Sequence, residues 1–252
     1  MTDPLADSSA AAFADGIELL AAAVPGAFQT RGPQGTLLAL THAAVPALNP
    51  ILSPASAPPA AEIADLAAVA ADKADGAPWS IRLRGDAPAA VLGTAASYGL
   101  NTAARQPFML LSLSPREAAA GISVRRLAPS EYKLFSEVLS AGFGVPPAII
   151  EAIYSAQVFG LAEITAVVAE DAQGRPVATG ISVLTGGHLA IGNLASLPGE
   201  RGQGYARAVL DRLLGNGYDA GAHTSYLHAE DATEPFFAAA GFTTAEHWTM
   251  LA

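Results

Sequence analysis

"NLASLPGERGQGYARAVLDRLL", residues 193–214, changes character in its middle. Its first residues continue the run "HLAIG" and read as a strand. Pro198, Gly199, Gly202 and Gly204 then crowd one short turn. From Tyr205 to Leu214 no glycine or proline appears. Ala206, Val209, Leu210, Leu213 and Leu214 fall at the spacing of one helical face. A strand therefore passes through a glycine-rich turn directly into an amphipathic helix.

The physical use of such a turn is to receive an anion. The first four backbone N–H groups of a helix lack intrahelical partners, and that end carries partial positive charge. Glycines let a phosphate approach the backbone and permit dihedrals that other residues resist. "RGQGYA" thus suits a pyrophosphate, with Arg201 and Arg207 as local positive charge. On its own a G-x-G is an ordinary tight turn. No G-K-[ST] follows, so this is not a Walker A loop. The third glycine and later acidic residue of the dinucleotide fingerprint are missing too.

Composition narrows the rest. The chain has 252 residues, of which 51% are apolar and 14% charged, enough for one large domain or two small ones. No cysteine is present, which excludes disulfides, thiolate metal sites and a cysteine nucleophile. The formal net charge of −10 argues against a nucleic-acid partner, whose binding needs clustered Lys and Arg. The acidic start "MTDPLADSS" lacks the positive charge of a secretory signal, and "IELLAAAVPGAF" is interrupted by Glu18 and Pro25. A soluble, cytoplasmic protein without membrane association is the expectation. Five scattered histidines with no i, i+4 pair predict no metal site.

Along the chain the patterns alternate. Residues 8–24 read as a helix, "TLLALTHAAV" as a strand, and "NPILSPASAPPA" (49–60), with four prolines, as a loop. "PPAAEIADLAAVAADKADG" reads as a helix, "WSIRLR" as a strand, "APAAVLGTAASYG" as a helix and "QPFMLLSL" as a buried strand. The pattern restarts near residue 120. "ISVRRLA" is a strand, and "PSEYKLFSEVLSAGFG" and "PPAIIEAIYSAQVF" are two helices. "EITAVVAED" and "PVATGISVLTGG" form a hairpin turning at "AQGR". After the 205–214 helix come strand "TSYLHAED", helix "TEPFFAAAGF" and strand "AEHWTMLA". The fold class is α/β (α+β), in two domains, 1–120 and 121–252. "SYGLNTAARQPFMLL" (97–111) echoes "AAGFTTAEHWTMLA" (239–252), as a tandem duplication with a decayed first copy would.

The 193–214 stretch resembles motif A of the GCN5-related N-acetyltransferases (GNAT). There a strand ends near a proline and R/Q-x-x-G-x-G/A opens a helix, matched here by Arg201, Gly204 and Ala206. "YLHAEDATEPFFAAAGF" resembles the family's next motif, a strand, a helix and the dipeptide G-F. The element order agrees over about 122–252. The resemblance implies a mixed sheet, flanked by helices, that splays between two strands with acetyl-CoA in the split. The N-terminal half would be a smaller, degenerate relative. The pantetheine arm would pair with Leu194, Ala195 and Ser196. The pyrophosphate would sit on Arg201, Gly202, Gln203, Gly204, Tyr205, Ala206 and Arg207. A small-molecule or protein amine would then attack the thioester directly, with a strand N–H stabilising the oxyanion.

The sequence departs from the family at two positions. Phe237 stands where a tyrosine usually protonates the departing thiolate, and Glu230 where many relatives carry asparagine. Asn193, His228 and Glu230 are the polar candidates for the acceptor side. Strand alternation puts His228 and Glu230 on one face, as a base with its orienting partner or as solvated strand residues. Tyr205 reads as a packing residue, and Trp79 and Trp248 as core or interface. Phe237 keeps a second reading open, a non-catalytic acyl-CoA-binding module or sensor. The N-terminal half would cover one side of a cleft or make a homodimer contact.

Overall fold

A computed structural model describes residues 3–116 and 121–252. The elements in chain order are α1 (Pro4–Ala22), β1 (Phe28–Arg31), β2 (Leu37–Leu40), β3 (Pro50–Ser53), α2 (Ala60–Lys73), β4 (Ser80–Arg84), α3 (Ala89–Ser97), β5 (Ala103–Ser112), β6 (Ser123–Arg126), α4 (Tyr132–Phe143), α5 (Pro147–Glu151), α6 (Ala156–Phe159), β7 (Ile164–Glu170), β8 (Pro176–Thr185), β9 (His188–Ser196), α7 (Tyr205–Asp219), β10 (Thr224–His228), α8 (Glu234–Ala239) and β11 (Thr243–Leu251). They form two compact units, Met1–Leu110 with His228–Ala252, and Leu111–Leu227.

Most expected elements are present, β1 is a strand that the sequence reading did not place, and three further details differ. The proline-rich stretch 49–60 contains β3, whose four residues are all buried. Pro50 takes the first strand position, where its ring does the ladder least harm. "PPAIIEAIYSAQVF" is two short helices, because Ser155 adopts extended backbone (φ −114, ψ 173) and its side chain caps Val158 N–H. The third difference is the C-terminal strand. The boundary expected near residue 120 lies outside the described residues. Residues 228–252 group with the first part of the chain rather than with 121–227, because β11 is laddered to β4 and β5.

In the first unit the strand order is β1-β2-β3-β4-β11-β5. The β3/β4 pair is parallel and is crossed over by α2; the others are antiparallel. Leu38, Ile51, Ile63, Leu66, Trp79, Ile81, Leu83 and Leu251 fill the core between the sheet and α2 and α3. The two echoed segments are neighbours here, with Trp248 opposite Gln106. Both tryptophans are buried, Trp248 completely.

In the second unit the order is β10-β9-β8-β7-β6, with β10/β9 parallel and the rest antiparallel. The β7–β8 hairpin closes at the expected turn, where Gly174 (φ 77) donates to Asp171 O at 2.9 Å. Two close approaches seat the helices. A Cβ on Gly180 of β8 would lie 2.9 Å from Val209 and 3.1 Å from Leu213 of α7, and 3.1 Å from Leu194. A Cβ on Gly142 of α4 would lie 2.7 Å from Ala195 Cβ. Leu194 and Ala195 are successive strand residues pointing to opposite faces, so α7 and α4 cover opposite faces of this sheet.

Candidate functional site

Strand β9 has a ladder partner on one side along most of its length and on the other side only at its start. Parallel β10 pairs with His188, Leu189 and Ala190 and then stops. From Ile191 to Ser196 the β9 backbone is laddered to β8 alone. The sheet therefore opens on the side of Leu194, Ala195 and Ser196, leaving main-chain groups that can pair with an extended ligand.

At the head of this open edge β9 carries a bulge. Thr179 faces Ala195 and Ile181 faces Gly192, so Gly180 alone opposes both Asn193 and Leu194. Asn193 has φ 50, one of three non-glycine residues with positive φ among the described residues. Asparagine tolerates this left-handed conformation better than most residues. A bulge re-aims the local backbone and frees groups from the ladder. The Asn193 side chain is held in place by the Tyr154 hydroxyl. Sequence reading missed Tyr154, because it lies in a stretch that reads as continuous helix.

Beyond the strand lies the glycine turn. Gly202 (φ 78) and Gly204 (φ 89) are both left-handed, and nothing lies within 4 Å of where a Gly202 Cβ would sit. No side chain caps the start of α7. Among the described residues, the backbone N–H groups of Gly202, Gly204, Tyr205 and Ala206 meet no acceptor, and the turn is exposed. Exposed donors, two left-handed glycines and open space give this turn the chemistry that an anion such as pyrophosphate requires.

The arginines contribute less than expected. Arg201 Nη2 donates to Gly142 O at 2.8 Å, tying the turn to the end of α4. Arg207 Nε donates to Asp211 at 2.7 Å, and Arg116 pairs with the same carboxylate at 3.0 Å. The Arg207 charge is largely spent on Asp211, so the uncapped amides are the main positive feature of the cradle. Tyr205 and Ala206 are half-buried at the start of α7, as packing residues are.

The remaining candidates fall in the first unit. His228 ends β10 and lies among aromatic rings, at 4.6 Å from Phe13, 4.8 Å from Phe108 and 5.0 Å from Trp248. Burial, with the charge of Arg82 adding to it, holds its pKa well below the ordinary imidazole value. Glu230 lies past the strand end in an exposed turn, where its backbone N–H donates to the Thr233 hydroxyl at 3.1 Å. No hydrogen bond joins His228 to Glu230, so the expected base-and-partner pair does not form. The strand ends at His228, and the alternation that would align the two ends with it. Phe237 sits on short α8 against Phe236 and Phe242. Among the described residues no group of three or more His, Asp or Glu side chains could hold a metal ion, and no helix is long and apolar enough to cross a membrane.

An open strand edge, a bulge at its head and an uncapped glycine turn at its foot follow one another along residues 191–206. Residues 133–242 match the sequence model of the acetyltransferase (GNAT) family. The GCN5-related N-acetyltransferase of Kribbella flavida is similar in structure, with a TM-score of 0.69 over 98% of this chain and 94% of that one, at 18% identity. A conserved protein of Staphylococcus epidermidis gives 0.59 over 90% and 93%, at 12% identity. The GCN5-related N-acetyltransferase of Sphaerobacter thermophilus gives 0.52 over 68% and 58%, at 22% identity. At these identities the likeness shows the fold alone. No curated protein matches the chain in sequence.

Proposed function

We propose that the chain is an acetyl-CoA-dependent N-acetyltransferase, acting on an amine of a small molecule or a protein. The observation that carries this reading is the continuity of open edge, bulge and glycine turn along residues 191–207. Acetyl-CoA, when bound, supplies an activated acetyl group. Leu194, Ala195 and Ser196 offer main-chain groups to the pantetheine arm. The N–H groups from Gly202 to Ala206 receive the pyrophosphate, and the Arg207 amide is the last of the set. A backbone N–H of the bulge meets the carbonyl oxygen as negative charge develops there.

The attacking amine must arrive neutral, and the departing sulfur must leave as thiolate or thiol. Phe237 has no proton to give. An acid is typically worth about 10²–10⁴ in rate, yet a thiol of pKa roughly 8.5 leaves fairly well near neutrality. The phenyl ring therefore lowers the expected rate without removing the activity. It also favours a second reading, a non-catalytic acyl-CoA-binding module or sensor.

Thiol release from acetyl-CoA, measured with the purified chain and a broad panel of amines, separates the two. Amine-dependent release supports the transferase. Binding of CoA by calorimetry, with no release for any amine, supports the module. Absence of both binding and release would sink the pair of readings together.

A further inference from the structure

The open edge that suits a ligand also leaves the bulge poorly supported. Among the described residues no strand pairs with β9 on the β10 side beyond Ala190, so Asn193 and Leu194 have strand partners only in β8. A non-glycine residue at φ 50 persists where its surroundings over-determine it. The surroundings here come from the break between α5 and α6.

Tyr154 is the residue before Ser155, whose extended backbone interrupts the two helices. Its side chain is only 9% exposed. The ring meets Phe135 of α4 at 5.2 Å and Phe159 of α6 at 6.3 Å, both edge to face, and Phe135 is completely buried. A rigid aromatic cluster thus sets where the phenol oxygen lies, and that oxygen accepts from Asn193 Nδ2. The hydroxyl's own hydrogen meets no acceptor among the described residues. Burial pushes the phenol pKa up to about 12, against a smaller opposite pull from Asn193, so the group is neutral throughout the pH range of an enzyme assay. It is therefore suited to hold a neighbour by hydrogen bonding and unsuited to act as a base.

We infer that Tyr154 is a positioning residue for acyl transfer, fixing the Asn193 side chain and with it the left-handed bulge of β9. The functional half of this inference rests on the acetyltransferase reading; the structural half does not. A tyrosine that merely filled space would make its ring contacts equally well without the hydroxyl. A tyrosine that held the bulge would lose that role with the oxygen alone.

Tyr154→Phe in the full chain tests the difference, because it keeps the ring and removes only the hydroxyl. The first measurement needs no ligand: backbone and side-chain NMR shifts of Asn193, with the melting temperature as control. The expected result is a shift of the Asn193 backbone away from the left-handed region and of its Nδ2 group, with melting within about 2 °C of wild type, since an isolated hydrogen bond contributes little net stability. Unmoved Asn193 shifts would overturn the inference. The second measurement is kinetic. We expect kcat to fall at least tenfold while the CoA dissociation constant changes less than twofold. Equal loss of kcat, CoA affinity and melting temperature would mark Tyr154 as structural only and overturn it.

Asn193→Gly supplies the conservative background, since glycine takes the left-handed conformation with no side chain to hold. In that background Tyr154→Phe should have no further effect on kcat. A second tenfold loss there would mean that the hydroxyl meets the substrate itself, and positioning through Asn193 would be wrong. A wild type that binds CoA and releases no thiol with any amine sinks the transferase reading, and the functional half with it. The Asn193 shifts still decide the structural half.

Discussion

Arg84 of β4 and Glu246 of β11, 162 residues apart in the chain, are joined by two parallel hydrogen bonds, Nε to Oε1 at 2.7 Å and Nη2 to Oε2 at 2.8 Å. The Arg84 side chain is 4% exposed and also reaches Asp7 of α1 at 2.6 Å. Trp248 Nε1 donates to the same Glu246 at 2.8 Å. One buried guanidinium therefore ties the C-terminal strand and the N-terminal helix to β4. Removing one partner of a buried pair costs about 3–5 kcal/mol; Glu246 is 23% exposed and Asp7 remains, which argues for about 2–3 kcal/mol here. Glu246→Ala should lower stability by that amount in chemical denaturation. A loss below about 1 kcal/mol would mean that solvent replaces the carboxylate and that the ladder alone seats β11.

Gly142→Ala sets two effects against each other. Alanine gains up to about 1 kcal/mol of helix propensity over glycine. The new Cβ, however, meets Ala195 Cβ at 2.7 Å and the Ser196 carbonyl oxygen at 3.1 Å, and neither neighbour is a flexible side-chain tip. Overpacking of this kind costs about 1–3 kcal/mol, so the clash should win and α4 should move off β9. The expected outcome is a lower melting temperature together with weaker CoA binding, because residues 195 and 196 form the open edge. A raised melting temperature would show that the helix shifts freely.

Gly204→Val addresses the cradle. Position 204 holds φ 89, where a β-branched residue is strained, and its side chain would stand at the mouth of the uncapped helix. Affinity for CoA should fall at least tenfold in calorimetry while circular dichroism stays that of a folded protein. Wild-type affinity in a folded variant would remove the pyrophosphate assignment.

One CoA should bind per chain. Among the described residues the corresponding turn of the first unit is no such cradle, since after β4 it reads "GDAP" and α3 starts behind Pro88, without a second glycine. Titration of the full chain that ended at two equivalents would contradict this.

Stability should fall in two steps as the solution is acidified. The folded pKa of His228 lies well below its unfolded value near 6.5, first through burial and then through Arg82. Below pH 6.5 the unfolded chain binds the extra proton first, so the His228 contribution is full above that pH and fades below it. Glu62 acts lower. Burial, its largest single influence, raises its pKa, but hydrogen bonds from Thr36 and Gln34 together outweigh that and lower it from 4.5. Its carboxylate accepts from Gln34 N–H at 2.6 Å and Thr36 N–H at 2.9 Å. That contribution is present above pH 4.5 and lost as pH falls through the folded pKa. Melting temperature against pH from 2 to 8 reads both steps. His228→Leu should shrink the upper step to the part left by His188, whose pKa burial and His223 also lower, and an upper step of unchanged size would assign the proton to another group.

The sequence by itself determined what short-range chemistry decides. Glycine spacing and helical periodicity over 201–214 placed the turn, the start of α7 and the face it buries, because those depend on neighbours within a few residues. Alternation placed β7 and β8 and the hairpin between them. The tertiary structure decided what depends on distant partners. β3 hides among prolines, and its four buried residues make sense only beside β2 and β4. Asn193 looks like one more strand residue until Gly180 is found opposite two residues. Tyr154 looks like one face of a helix until the chain breaks at Ser155 and turns the phenol to Asn193. Nothing in "AEHWTMLA" says that it ladders to β4 and β5. Side-chain alternation defines the two faces of a strand, while strand partners are selected by burial and hydrogen bonding across the whole fold.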